Sequence, residues 1–393
     1  MLLYWIWLAE LKAVSLMQKH RLLEQFGDPE TLYHTAKLSQ EQKDLSDARK
    51  ILQKCTDKGI GILPVTDHSY SRRLANTPDA PVVLYYKGML PDWDSVPTIG
   101  IVGTRKASAY GLQVARQMGS QIAACGGYVV SGAASGADAA AMQGALDAGC
   151  PVMGVLGCGV DVVYPKSNRR LFAAVLERGC LISEYPPGAE PLAWHFPERN
   201  RIISGVSNGV LVVEAPERSG ALITARCALE QGRDVFVVPG NINTVSCQGS
   251  NLLLQDGAIP VFSGWDVVSP YEFLYPGKIK KYQPKTLYAG EAPAAKVAQT
   301  VATPADSLKK AENPRKKSID NQTNSTYSVL ENAYPALSAE EQAVLSCLTN
   351  QPQEPAELIA KLTMPAGKVL SALTMLTVKG LVCKHPGGRV SLK

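Results

Sequence analysis

Residues 98–111 read TIGIVGTRKASAYG. The run Thr98–Val102 is apolar almost throughout, stops at Gly103 and gives way to Thr104, Arg105, Lys106 and Ser108. Leu112, Ala115, Met118, Ile122 and Ala123 then recur at three- and four-residue spacing. An unbroken apolar run fits a strand covered on both faces, and the spacing after it is that of a helix. A strand therefore meets a helix at a turn that carries two cations and a hydroxyl.

The same grammar repeats on both sides of this stretch. Short β-rich runs are predicted over Ile60–Val65, Val82–Tyr86, Thr98–Val102, Tyr128–Val130, Val152–Leu156, Cys180–Ile182, Val210–Val213, Val235–Val238 and Ile259–Phe262, with helical patterns between them. Alternation of this kind predicts an α/β fold with a doubly wound, mostly parallel sheet, whose ligands collect at the carboxyl ends of the strands.

The flanks differ in pattern. Residues 1–58 show helical spacing (Leu8, Leu11; Leu22, Leu23, Phe26) broken at Gly27-Asp-Pro29 and near Leu38-Ser-Gln40, which predicts a small domain of short helices. MLLYWIWLAELK is too briefly apolar for a signal peptide or membrane span and is expected to form a buried first helix. Residues 59–275 form the α/β domain. Residues 276–336, rich in Pro, Ala, Lys, Thr and Asn, are expected to be a flexible basic linker. In 337–393, Ser338-Ala-Glu-Glu341 has the spacing of a capping box, Pro355 and Pro365 mark two further helix starts, and Leu381–His385 with Arg389–Leu392 reads as a hairpin. Three helices and a hairpin make a winged-helix pattern.

Composition is that of a globular protein, with 46% hydrophobic and 19% charged residues in 393. Of the net charge of +5, the segment Pro276–Asp320 alone holds ten Lys or Arg against four Asp or Glu, so the rest of the chain sums to about −1 and any anion site on it must be a local cluster. Nine cysteines without a CxxC pair argue for reduced thiols and a cytoplasmic setting, and no His or Cys stands at metal-ligand spacing, so no metal is expected.

The motifs favour binding over catalysis. A dinucleotide fold would place GxGxxG in the opening turn and an acid at the end of the next strand; neither is present, and no cofactor is expected. The helix start offers N–H groups, dipole and, from Gly103, Arg105, Lys106 and Ser108, donors for a phosphate. In SGAASGADAAAMQGAL (131–146), Ser131 and Gly132 end a strand, while Ser135 and Asp138 stand at capping-box spacing, so Asp138 is expected to cap its helix. VLGCGVDVVYPKSNRRLF (155–172) adds Lys166, Asn168, Arg169 and Arg170 near a helix start. In HFPERNRIISGVSNGVLVVEA (195–215), Arg199, Asn200 and Arg201 precede an apolar helix, where arginines are costly unless paired or binding something. RSGALITARCALEQG (218–232) brings Ser219, Gly220 and Thr224 to another helix start. No nucleophile, base and orienting group stand together, so the cluster reads as a surface for several phosphates without an attacking group.

In this order and spacing, IVGTRKASAYG, SGAASGADAAAMQGAL, YPKSN, ISEYPPG, FPERNRIISGVSNGVLVVEA, SGALITA and DVFVVPG resemble the DNA-processing protein A (DprA/Smf) family of bacteria. The resemblance implies an extended Rossmann-like domain that binds single-stranded DNA, forms a homodimer through that domain, protects incoming DNA and loads RecA recombinase during natural transformation, without catalysis. It implies DNA contacts by Arg105, Ser108, Lys166, Arg199 and Arg201, and a sterile-alpha-motif-like (SAM-like) amino-terminal domain. The chain departs from the family pattern in having Ser135, Ala137 and Met142 where Arg, Ile and His are usual, while Ser131, Gly132 and Asp138 are kept.

Two other readings stand beside it. Residues 219–224 also resemble the GGxGTxxE motif of nucleoside-monophosphate phosphoribohydrolases, but Cys227 takes the place of the catalytic Glu. A third reading makes Pro365–Val378 the recognition helix of a sequence-specific DNA reader, with Lys368 and Ser371 outward.

Overall fold

The computed structural model describes residues 1–12, 14–281, 338–349, 351, 353–362, 364–379, 381–384 and 389–392. The chain forms two compact units, Met1–Ala294 and Ala295–Lys393.

The first unit opens with four helices, α1 (Leu2–Glu10), α2 (Leu16–Phe26), α3 (Pro29–Thr35) and α4 (Ser46–Lys58). Ser15 and Gln18 close a capping box on α2, and Asp28 caps α3 with Pro29 in its first turn. Trp5, Ile6, Leu8, Leu32 and Ile51 pack together with Val82, Val83, Tyr85 and Val160, so these helices share one core with the edge of the sheet behind them.

The sheet has nine strands: β1 (Gly61–Pro64), β2 (Val83–Gly88), β3 (Thr98–Val102), β4 (Tyr128–Ser131), β5 (Val152–Val155), β6 (Cys180–Ser183), β7 (Gly209–Val212), β8 (Asp234–Val237) and β9 (Ile259–Pro260). Their order is β1-β2-β6-β5-β4-β3-β7-β8-β9. Only the β1–β2 and β2–β6 pairs are antiparallel; the other six are parallel. All nine predicted runs are strands, with β9 shortened to two exposed edge residues.

Helices cover both faces, as the continuous apolar runs require. On one face α6 (Ala109–Ala124), α7 (Ala137–Asp147), α8 (Arg169–Arg178) and α12 (Gly264–Val268) bury Met118, Ile122, Met142, Phe172 and Val267 against Ile99, Ile101 and Leu211. On the other, α5 (Arg72–Ala75), α9 (His195–Val206), α10 (Gly220–Glu230) and α11 (Gln248–Gln255) meet the sheet, and Leu74, Ile202, Ile203 and Ala225 pack on Val102, Val210 and Val212. Ile279 is buried in the first of these cores and the Lys280 N–H donates to the Cys125 carbonyl, so the chain stays packed as far as the described residues run. The expected linker lies, from residue 282 on, outside the described residues.

The chain leaves β3 for α6 on one face and β7 for α10 on the other, so a crevice opens between the carboxyl ends of these neighbouring strands.

The second unit contains α13 (Ala339–Cys347), α14 (Pro355–Lys361), α15 (Ala366–Val378) and the antiparallel pair β10 (Val382–Lys384) and β11 (Val390–Leu392). Ser338 and Glu341 form the expected capping box, while Pro365 proves to be the N-cap of α15 rather than its first residue. Val344, Leu358, Val369, Leu373, Leu376 and Val390 form its core, in a winged-helix arrangement.

Candidate functional site

The turn 103–108 is tied to its neighbours at both ends. Gly103 N–H donates to Asp138 Oδ1 at 3.3 Å, and Thr104 N–H to the Glu214 carbonyl at 2.7 Å. At the far end Ser108 donates its N–H to Glu214 Oε2 at 2.8 Å and its hydroxyl to Glu214 Oε1 at 2.7 Å, while its Oγ accepts the Gly111 N–H at 3.0 Å. Ser108 is thus the N-cap of α6 with its hydroxyl committed inside the protein, and these donors of the turn are spent on carboxylates and a carbonyl. This corrects the expectation that the Ser108 hydroxyl and N–H wait for a phosphate. What the turn offers outward is the exposed side chains of Arg105 and Lys106.

Asp138 does not cap its helix; Gly136 occupies the N-cap position of α7. The carboxylate turns inward, 5% exposed, and accepts from Gly103 N–H and from Gly132 N–H at 3.1 Å, stitching the ends of β3 and β4 together. Burial pushes the Asp138 carboxyl up from its ordinary value, opposed by the nearby Arg199 and the N–H donors. A Cβ on Gly132 would stand 2.6 Å from Arg199 Nη2 and 2.8 Å from Asp138 Oδ2, so any side chain there would push these two groups out of place. Ser131 is fully buried and donates to the Ile101 carbonyl at 2.6 Å, a contact of the sheet and not of the cleft.

The other predicted residues divide into a buried frame and an exposed rim. Arg199 is 4% exposed and donates to the Gly132 carbonyl at 2.9 Å, to the Val155 carbonyl, and through Nε to Asn200 Oδ1. Burial pulls its guanidinium down to about 10, against the pull of Asp138 and with a smaller push from Arg105. Asn200 passes the connection on, donating to the Gly220 carbonyl at the start of α10. Arg201 is paired with Glu184 and, at 3.5 Å, with Asp79, and does not line the cleft; its predicted role there is corrected to an ion pair of the fold. Asn168 donates to the carbonyl of Ala133, a residue at φ +50°, a strained value for a side chain with a Cβ. Ser219 caps α10, and Thr224 lies beneath it with its hydroxyl toward the Gly220 carbonyl.

Above this frame lies a cleft of about 440 Å³, lined by the 103–106 turn, Phe196, Arg199, Asn200, residues 218–221 and Thr224. A smaller recess of about 100 Å³ adjoins it, walled by Gly132, Ser135, Tyr164 and Pro165. Arg105 and Phe196 line both, the guanidinium carbon 5.2 Å from the ring centroid and the Tyr164 ring 5.3 Å beyond Phe196. Arg105, Lys106, Lys166, Arg169 and Arg218 are exposed, and none forms an ion pair with a described carboxylate.

Sequence reasoning missed Arg218 and Glu214. Arg218 directly precedes the capping Ser219, much as Arg105 leads to Ser108, and that parallel was a usable signal. Glu214 closes the apolar run Val210–Val213, a position where a carboxylate has to be satisfied. Among the described residues no three His, Cys, Asp or Glu are grouped to hold a metal, and no helix is long and apolar enough to cross a membrane.

Comparison with known proteins places the fold in a known family. Residues 61–272 match the family described as DNA recombination-mediator protein A, and residues 330–388 match the DprA winged helix domain. The DNA processing protein DprA of Bacillus subtilis (strain 168) is 40% identical over 218 residues, which is 56% of this chain and 73% of that protein. Protein Smf of Synechocystis sp. is 31% identical over 408 residues, covering 98% of this chain and 97% of that one. The X-ray structure of DNA processing protein A from Streptococcus pneumoniae aligns with a TM-score of 0.60 at 34% identity, over 68% of this chain and 98% of the other.

Proposed function

Because the chain belongs to the DNA recombination-mediator protein A family, the DprA/Smf proteins, we propose that its Rossmann-like unit binds single-stranded DNA along the cleft, protects incoming strands and loads them with RecA recombinase during natural transformation. It does so as a cytoplasmic homodimer and without catalysing a reaction. The observation that carries the reading is the row of exposed cations without a described carboxylate partner, Arg105, Lys106, Lys166, Arg169 and Arg218, along the carboxyl ends of the strands. Such a row tracks a phosphodiester backbone, and the rings of Phe196 and Tyr164 beside it offer stacking faces to unpaired bases.

The cleft chemistry supports binding over hydrolysis. Asp138, the carboxylate that lines the cleft, is engaged by the Gly103 and Gly132 N–H groups, and Glu214, which does not line it, by Ser108, which leaves neither placed to take a proton from water. His195 is buried, stacked on Tyr185, with Nδ1 at the Gly157 carbonyl. Cys227, at the position of the phosphoribohydrolase glutamate, does not line the cleft, and burial pushes its thiol up.

Titration of the full chain with single-stranded and duplex oligonucleotides at two salt concentrations tests the reading. Tighter single-strand binding that weakens steeply with salt is expected. Equal or absent binding, or release of free base from adenosine monophosphate at enzymatic rates, would overturn it.

A further inference from the structure

The loop that follows β5 is anchored in one place and works in another. Val160 is buried in the core of the four amino-terminal helices. Next to it, Asp161 Oδ2 takes the ammonium of Lys58, the last residue of α4, at 2.5 Å, and its Oδ1 accepts the Gly188 N–H at 2.8 Å. Three residues on, Tyr164 and Pro165 wall the smaller recess, and Lys166 follows, exposed. The segment is short, and a shift at Asp161 is carried to Tyr164 within about 10 Å of chain.

Burial pushes the Asp161 carboxyl up, but the Lys58 ammonium and the Gly188 N–H outweigh it and hold the group below its ordinary value. It is therefore ionised at neutral pH. The Asp161 side chain is 10% exposed and that of Lys58 48%, so solvent and salt screen this pair less than one exposed at both ends.

We propose that Lys58 is a positioning residue for single-stranded DNA binding: by holding Asp161 it fixes the loop that presents Tyr164 and Lys166, which makes the amino-terminal helices a working part of the DNA-binding unit. This rests on the reading of the cleft as the DNA site.

The test measures oligonucleotide affinity of the full chain for Lys58→Gln, Lys58→Arg, Lys166→Ala, Arg105→Ala and the Lys58→Gln/Lys166→Ala double variant. Lys58→Gln is expected to weaken binding about threefold to fivefold, the size of a half-buried ion pair, and Lys58→Arg to restore it to within about twofold. In the Lys166→Ala background the effect of Lys58→Gln is expected to shrink, because the lysine it positions is gone. A role in folding alone would lower the urea midpoint and leave the two losses additive, and so would a direct contact of Lys58 with DNA; additivity overturns the proposal. Unchanged affinity in Lys58→Gln beside a clear loss in Arg105→Ala overturns it alone. Unchanged affinity in Arg105→Ala as well removes the DNA reading of the cleft, and the proposal with it.

Discussion

Glu214, just past the end of β7, accepts both the N–H and the hydroxyl of Ser108, at 2.8 and 2.7 Å, and so joins the start of α6 to the neighbouring strand across the crevice. The pair holds the 103–108 turn at its far end while Asp138 and the Glu214 carbonyl hold the near end, leaving Arg105 and Lys106 at the apex. Glu214→Ala leaves the two part-buried Ser108 donors without their acceptor, and a loss of about 2–4 kcal/mol in unfolding free energy is expected. Gly111→Ala is expected to act on the same contact, since its Cβ would stand 2.3 Å from Glu214 Oε2. Urea unfolding of both variants checks this; wild-type midpoints would remove Glu214 as the anchor of the turn.

Arg105→Ala is expected to do the opposite, costing binding and sparing stability. The side chain is exposed, with its guanidinium over the ring of Phe196. A charge-assisted contact to phosphate is worth about 1.5–3 kcal/mol, so affinity for a single strand should fall roughly 10- to 100-fold. The dependence of log affinity on log salt should become shallower by about 0.7, with the unfolding free energy within about 0.5 kcal/mol of wild type. Fluorescence anisotropy at several salt concentrations measures both, and an unchanged slope would place Arg105 off the DNA path.

Arg199→Ala separates the frame from the rim. Its guanidinium is buried among the carbonyls of Gly132 and Val155, near Asp138. Removing it leaves a buried carboxylate without its counter-charge, for an expected loss of about 3–5 kcal/mol. Equilibrium unfolding is the measurement, and a loss confined to DNA affinity would show that Arg199 reaches the ligand directly.

These three cases show what the sequence made legible and what it hid. Strand-to-helix junctions were readable because an unbroken apolar run and a 3.6-residue period are local signals, and all nine runs are strands. Whether an arginine at a junction points to solvent or inward is a tertiary matter. Arg105 and Arg199 share a residue type and a junction context, yet one is exposed and the other is 4% exposed. Asp138 carries the same lesson. Its spacing from Ser135 fits a capping box, but Gly103 and Gly132, distant in sequence from each other, bring two N–H donors to its carboxylate and outcompete the local cap. Glu214 was hidden because its partner Ser108 lies 106 residues away.

The buried thiols set an alkaline limit. Burial pushes Cys180 up to about 12, and Cys55 and Cys158 up to about 11, from an ordinary value of 9.0. Below pH 9 native and unfolded chains hold these protons alike. As pH rises from 9 toward 11 or 12 the unfolded chain releases them and the native chain does not, so native stability falls. For Cys180 the slope is about 1.4 kcal/mol per pH unit. Urea midpoints at pH 8, 9.5 and 10.5 are expected to drop for the wild type and less steeply for Cys180→Ala; equal slopes would show that this thiol ionises freely in the folded chain.

The winged-helix unit is expected to contribute little to single-strand affinity. On α15 the predicted outward lysine, Lys368, has its ammonium 3.2 Å from Glu340, and Lys379, just beyond the helix, lies within 2.8 Å of both Glu341 oxygens. A phosphate approaching this helix meets lysines that already have carboxylates beside them, whereas Arg105, Lys106 and Lys166 have no such described partner. Exposed Leu370, Ser371 and Met375 on the same helix add no positive charge. A groove-reading helix depends on free cations at its surface for most of its affinity. Deleting residues 337–393 is therefore expected to leave single-strand affinity within about threefold of the full chain, given the small worth of exposed, already paired lysines. Anisotropy titration of the truncated and full chains at the same salt decides it: a loss beyond about tenfold, more than the 1.4 kcal/mol of one decade, would assign the winged helix a share of the DNA surface.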